Sequence, residues 1–124
     1  MFLGYKVKIE ALTRAITESY ADYIRDQLSG VEGFNFKKMF GGIGIFRDGV
    51  MFGLINKGDI FRLRTDETNR EMFESRGYEI WNHGRGTMPY HEVPAEVVED
   101  RQALAEWAEI SYEVALRHKK PKKK

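Results

Sequence analysis

At 124 residues, 42% hydrophobic and 31% charged, the chain has the length and balance of one soluble globular domain, with room for a single core. The lack of cysteine excludes disulfides, thiolate metal sites and a cysteine nucleophile, and no run approaches the roughly 20 apolar residues of a membrane span. The formal charge of +1 is uneven: Arg117, Lys119, Lys120, Lys122, Lys123 and Lys124 hold six of the 20 basic residues, and 20 less six leaves 14 against 19 acidic residues, a balance of −5.

The opening Met-Phe-Leu-Gly-Tyr-Lys-Val-Lys-Ile lacks the apolar stretch of a signal peptide, so a cytoplasmic location and no membrane partner are expected. Residues 1–17 are expected to be an N-terminal arm or the start of the first helix, 18–116 the folded domain, and 117–124 a basic, disordered tail. Apolar residues at Leu12, Ile16, Tyr20, Tyr23, Ile24 and Leu28 predict a helix from Ile9 to Leu28, with Gly30 as its stop. Thr17 or Ser19 could instead cap a shorter helix.

Four short β-rich runs follow, Phe36–Phe40, Ile43–Arg47, Val50–Ile55 and Asp59–Leu63, separated by Gly-containing turns. They predict an antiparallel meander. Asp48-Gly49 suits a two-residue hairpin turn because both central residues need positive φ, and Lys57-Gly58 gives a weaker signal of the same kind. With two-residue loops at both, Ile45 faces Phe52, Ile43 faces Leu54, Leu54 faces Phe61 and Phe52 faces Leu63, which gathers all six side chains on one face. A two-residue loop at Gly41-Gly42 would set Lys38 beside Ile45, so a bulge or longer loop is expected there.

Thr65-Asp66-Glu67 opens a short helix anchored by Met72 and Phe73 and ended by Gly77. Residues 78–93 read as one or two strands around Gly84-Arg85-Gly86, with Pro89 pointing to an edge position. Pro94 starts a short helical segment, and Asp100 caps a last helix with the inner stripe Leu104, Trp107, Ala108, Ser111 and Ala115. The fold class expected is α+β in the order α-β-β-β-β-α-β-α, an antiparallel sheet with helices mainly on one face.

The segments Lys38-Met39-Phe40-Gly41-Gly42-Ile43-Gly44-Ile45-Phe46 and Asp48-Gly49-Val50-Met51-Phe52-Gly53-Leu54-Ile55 resemble the signature of the TfoX/Sxy N-terminal-domain family of competence regulators. So do Leu63-Arg64-Thr65-Asp66-Glu67-Thr68-Asn69-Arg70, Phe73-Glu74-Ser75-Arg76-Gly77 and Met88-Pro89-Tyr90-His91-Glu92-Val93-Pro94, in order and spacing, from about residue 18 to 116. The resemblance implies a fold like that of type III secretion chaperones and a role connected with transcriptional activation of competence genes. It brings no catalytic residues. The family's second, C-terminal helical domain has no room here, which points to a stand-alone relative.

Gly42 and Gly44 open a GxGxxG frame that ends on Arg47, and no Gly-Lys-Ser/Thr follows, so the glycines read as turn and packing residues. His83, His91 and His118 are too scattered for a metal triad, and the carboxylates fall where helices need charged starts and solvated faces. No catalytic, cofactor or metal site is expected.

The meander face opposite the predicted core would carry Phe46, Met51, Ile55, Ile60, Arg62 and Arg64, with Gly44 and Gly53. It is too apolar for a plain solvent face and is expected to bind a partner, with a homodimer favoured; the alternatives are cover by the chain's own N-terminal arm and a small-molecule or anion site. The function expected is therefore a non-catalytic regulatory or adaptor domain acting by protein–protein association, with a partner in transcription regulation. The alternative is direct nucleic-acid binding through Arg62, Arg64 and the tail, Arg117, Lys119, Lys120, Lys122, Lys123 and Lys124, with Phe46 for stacking. The −5 body weighs against it, since sequence-independent binding draws on a broad basic surface.

Overall fold

The computed structural model describes residues 18–39 and 41–119. Within them, residues 18–27 form helix α1, and a 3-10 turn at Leu28–Gly30 closes it as the Gly30 stop signal required. Ala21, Ile24 and Leu28 are buried at helical spacing, whereas Tyr23, expected in the same stripe, is 40% exposed. The arm and the first half of the expected helix lie outside the described residues, as do Phe40 and the tail from Lys120 onward.

The strands β1 (Phe34–Met39), β2 (Gly42–Arg47), β3 (Val50–Asn56) and β4 (Ile60–Arg64) follow as a meander. Helix α2 (Arg70–Glu74) precedes the hairpin of β5 (Ile80–Asn82) and β6 (Thr87–Glu92), and α3 (Ala95–Val98) and α4 (Arg101–Arg117) complete the order. All pairings are antiparallel in one six-stranded sheet, β1-β2-β3-β4-β6-β5.

The Asp48-Gly49 turn forms as read: Arg47 pairs with Val50, and the two turn residues have φ of 50° and 77°. The expected register does not survive beyond it. Phe46 pairs with Met51 but Ile45 pairs with Gly53, so Phe52 is an extra residue in β3, a bulge that reverses the facing of everything after it. Ile43 consequently faces Ile55, and Gly44 faces Leu54.

The β3–β4 loop has three residues, because Asn56 pairs with Ile60 across Lys57, Gly58 and Asp59. That single added residue sets Ile55 opposite Phe61 and Gly53 opposite Leu63, so Leu54 turns outward and Ile55 turns in. At β1–β2, Met39 pairs with Gly42 and Lys38 with Ile43, at an exposed edge where the Lys38 ammonium reaches water.

Residues 78–93 form two strands, and β6 is internal rather than an edge. Pro89 is accommodated because the β5–β6 register shifts there, from Trp81–Met88 to Ile80–His91, and because β4 pairs only with Tyr90, His91 and Glu92. No ladder bond requires an N–H at residue 89, and its carbonyl accepts from Thr65 N–H at 2.9 Å.

One core joins the sheet to the helices. Ile45, Phe52, Ile55, Phe61 and Leu63 from the sheet meet Ile24 from α1, Phe73 from α2, Val97 and Val98 from α3, and Leu104, Trp107, Ala108 and Ala115 from α4. Burying each large apolar side chain is worth about 1.5–3 kcal/mol before entropy is counted. Asp100 caps α4 by accepting from Gln102 and Ala103 N–H at 3.1 and 3.2 Å, as its place before the apolar stripe predicted. Every described helix buries its side chains in this cluster, so the described helices share one face of the sheet.

Candidate protein-interaction face

The opposite face is built by strand parity and by the bulge. Gly44 and Phe46 from β2, Met51 and Leu54 from β3, and Ile60, Arg62 and Arg64 from β4 point away from the helices. Of the six residues expected on this face, Phe46, Met51, Ile60, Arg62 and Arg64 are on it and half-buried. Ile55 is not: it is 1% exposed in the core, because the bulge at Phe52 inverts its parity. Gly53, expected outside, is likewise on the core side, and Leu54 takes the outer position.

The apolar part is organised around the missing side chain of Gly44. A Cβ there would stand 2.6 Å from Phe46 Cε1, 2.7 Å from Met39 Sδ and 3.1 Å from Met51 Sδ, so the aromatic ring and two thioethers close over the bare backbone. The polar part lies on β4, β6 and β5. The Arg62 guanidinium is 4.4 Å from the centre of the Trp81 ring and donates to Asn56 Oδ1 at 2.7 Å. Arg64 stands 5.8 Å from the Tyr90 ring, side by side with it in the β4–β6 register.

Burial lowers the Arg62 pKa, with Glu92, its cross-strand partner, opposing the shift. Burial raises that of the Tyr90 hydroxyl against the opposing charge and hydrogen bond of Arg64. Arg64 Nε is buried without a hydrogen-bond partner among the described residues. Among the described residues, neither Arg62 nor Arg64 has a carboxylate within 4.0 Å, whereas the half-buried Arg47 on the other face contacts Glu109 at 2.7 Å.

The residues expected to form a basic tail divide into two groups. Arg117 donates to Thr68 Oγ1 at 2.8 Å and, with His118, faces the Asp66 carboxylate at 3.4 and 3.0 Å. Lys119 is exposed, while Lys120, Lys122, Lys123 and Lys124 lie outside the described residues. Burial alone would raise the Asp66 pKa. Hydrogen bonds from the Thr68 hydroxyl and N–H, then from His118 and Arg117, reverse that and hold it well below the usual carboxylate range.

A buried polar relay was not anticipated. His91 Nδ1 is 2.7 Å from Thr65 Oγ1, and His91 Nε2 is 2.8 Å from Glu74 Oε2. The signal was available in the period-2 alternation of β6, which points His91 inward between Tyr90 and Glu92. Thr65 is 2% and His91 0% exposed, so the relay fastens α2 and β6 to the end of β4, and of its three side chains Glu74 is the one that meets solvent. A surface depression of about 380 Å³, lined by Glu74, Gly77, Glu79 and Ile80, reaches only its Glu74 end.

Comparison with curated proteins finds no match. The TfoX N-terminal domain matches residues 26–115, from the end of α1 to the last turn of α4, and so takes in every strand of the sheet and both turns that set its register. With that match spanning most of its length, the chain belongs to the TfoX N-terminal domain family.

Proposed function

We propose that the chain is a non-catalytic regulatory adaptor that works in the cytoplasm, in competence-related or other transcription regulation, by associating with protein through the outer face of its sheet. Homodimerisation is one form of that association, and capture of another protein is the other. The observation that carries the reading is the Gly44–Phe46–Met39–Met51 cluster, half-buried beside two arginines on the face the described helices leave open. Family membership supports a regulatory role in general terms.

Light scattering behind a sizing column tests it, on the chain and on Phe46→Glu. A charge in the centre of the cluster is expected to abolish association while the circular dichroism spectrum is kept. A complex, whether of two copies or with a captured protein, that survives Phe46→Glu unchanged would remove this face from the proposal.

A further inference from the structure

From the charge of this face, we infer that its occupant is an acidic amphipathic segment of another protein, its apolar side chains over Phe46 and Met51 and its carboxylates on Arg62 and Arg64. This rests on the association reading above and names the partner's chemistry. Among the described residues of the face, Lys37, Arg62 and Arg64 are cationic, and Glu92 is the carboxylate that stands directly across from Arg62. Arg64 has Tyr90 in the corresponding place, so among the described residues of the face three cations stand against one carboxylate, an excess of positive charge that an acidic partner offsets.

Geometry fits one segment. Arg62 and Arg64 are two residues apart on one strand, about 6.6 Å along it, and β2 lies two strands over, roughly 10 Å across the sheet. A helix of about three turns, or a short extended strand, spans both halves. The thioethers of Met39 and Met51 give the apolar half a surface that adapts to the side chains laid on it. A second copy pressed face to face would bring the same excess of cations with it. An acidic segment supplies the missing charge.

The test is a nuclear magnetic resonance titration of the full chain with two synthetic peptides of about 16 residues, some four helical turns, sharing one Leu/Phe stripe. One carries Glu and Asp on its polar positions and the other Lys. The acidic peptide is expected to shift the amides of Phe46, Met51, Arg62 and Arg64. Its affinity should fall about tenfold or more in Arg62→Gln and Arg64→Gln. For the unaltered chain it should also weaken when NaCl is raised to about 0.5 M, where the Debye length is near 4 Å. That salt series stands even if a variant misfolds.

Equal or better binding of the Lys peptide, or shifts elsewhere on the chain, would overturn the inference. So would an oligonucleotide that shifts the same amides where the acidic peptide does not. If neither peptide binds and the chain is a dimer that Phe46→Glu dissociates, the acidic partner is wrong and the association reading stands. If neither binds and both chains are monomers, the two fall together.

Discussion

Asp66 accepts from the N–H and hydroxyl of Thr68 and faces Arg117 and His118, so one carboxylate ties the end of α4 to the loop after β4. Its folded pKa is depressed below the ordinary value near 3.9, so its contribution is complete above that value and is lost as pH falls toward the folded pKa. Asp66→Asn should cost about 1 kcal/mol or more at neutral pH. In urea titrations its deficit against the unaltered chain should shrink steadily as pH falls below about 4. A gap that stays constant to about pH 3 would mean the carboxylate charge contributes nothing.

Two glycines of β2 make a paired test at the same scale. At Gly42 a Cβ would lie 2.7 Å from the Ile55 carbonyl oxygen, a backbone atom in a paired strand that cannot yield cheaply. At Gly44 the obstructing atoms are the ends of Phe46, Met39 and Met51, which can swing into solvent. Gly42→Ala should therefore cost about 2–3 kcal/mol and lower the melting temperature by roughly 8 °C or more. Gly44→Ala should cost less than about 1 kcal/mol yet break the outer cluster, and so weaken association. Equal melting temperatures for the two variants would show that the β2–β3 backbone is free to move apart.

Among the elements, α2 shows how a five-residue helix holds its place. Phe73 packs edge-on against Trp107 with ring centres 4.8 Å apart, and Glu74 reaches the buried His91, whose other nitrogen meets Thr65. Phe73→Ala should cost about 3–5 kcal/mol. Thr65→Val, which keeps the shape but leaves a ring nitrogen unpartnered, should cost about 1–3 kcal/mol. If Thr65→Val were neutral by thermal melting, water or another hydroxyl would be satisfying His91 in its place.

The elements were largely legible in the sequence, and the faces of the sheet were not. The Asp48-Gly49 turn, the Asp100 cap and the stripe of α4 each have a local chemical signature, and each formed as read. The bulge at Phe52 has none, because Val50, Met51, Phe52, Leu54 and Ile55 are apolar in both alternating frames and either register fills a core. The first turn pinned one end of β3 and the three-residue loop at Gly58 decided the other, and only the fold shows that the two frames differ by one residue. The outer face was found in spite of this, since β4 alternates strictly from Ile60 to Arg64 and points both arginines outward.

At the scale of the whole molecule, the two tryptophans stand on opposite faces, Trp107 in the core against Phe73 and Trp81 under Arg62 on the outer side. β5, which carries Trp81, has no buried residue, and a three-residue edge strand of that kind would fray if left alone. It is fastened twice. β6 beside it is anchored by His91 and Tyr90, at 0% and 3% exposure, and Arg62 reaches from β4 onto the Trp81 ring, a contact worth about 0.5–2 kcal/mol. A domain of this size has a total stability of about 5–15 kcal/mol held in one cluster, so β5 and the core should unfold together. In Trp81→Phe, fluorescence reports the core, and in Trp107→Phe it reports the outer face. Within each variant, the urea midpoint by fluorescence should coincide with that by far-ultraviolet circular dichroism. An earlier fluorescence midpoint confined to Trp107→Phe would make the β5–β6 hairpin a separate, weaker unit, and the outer face would then lose its arginine–aromatic half before the fold is lost.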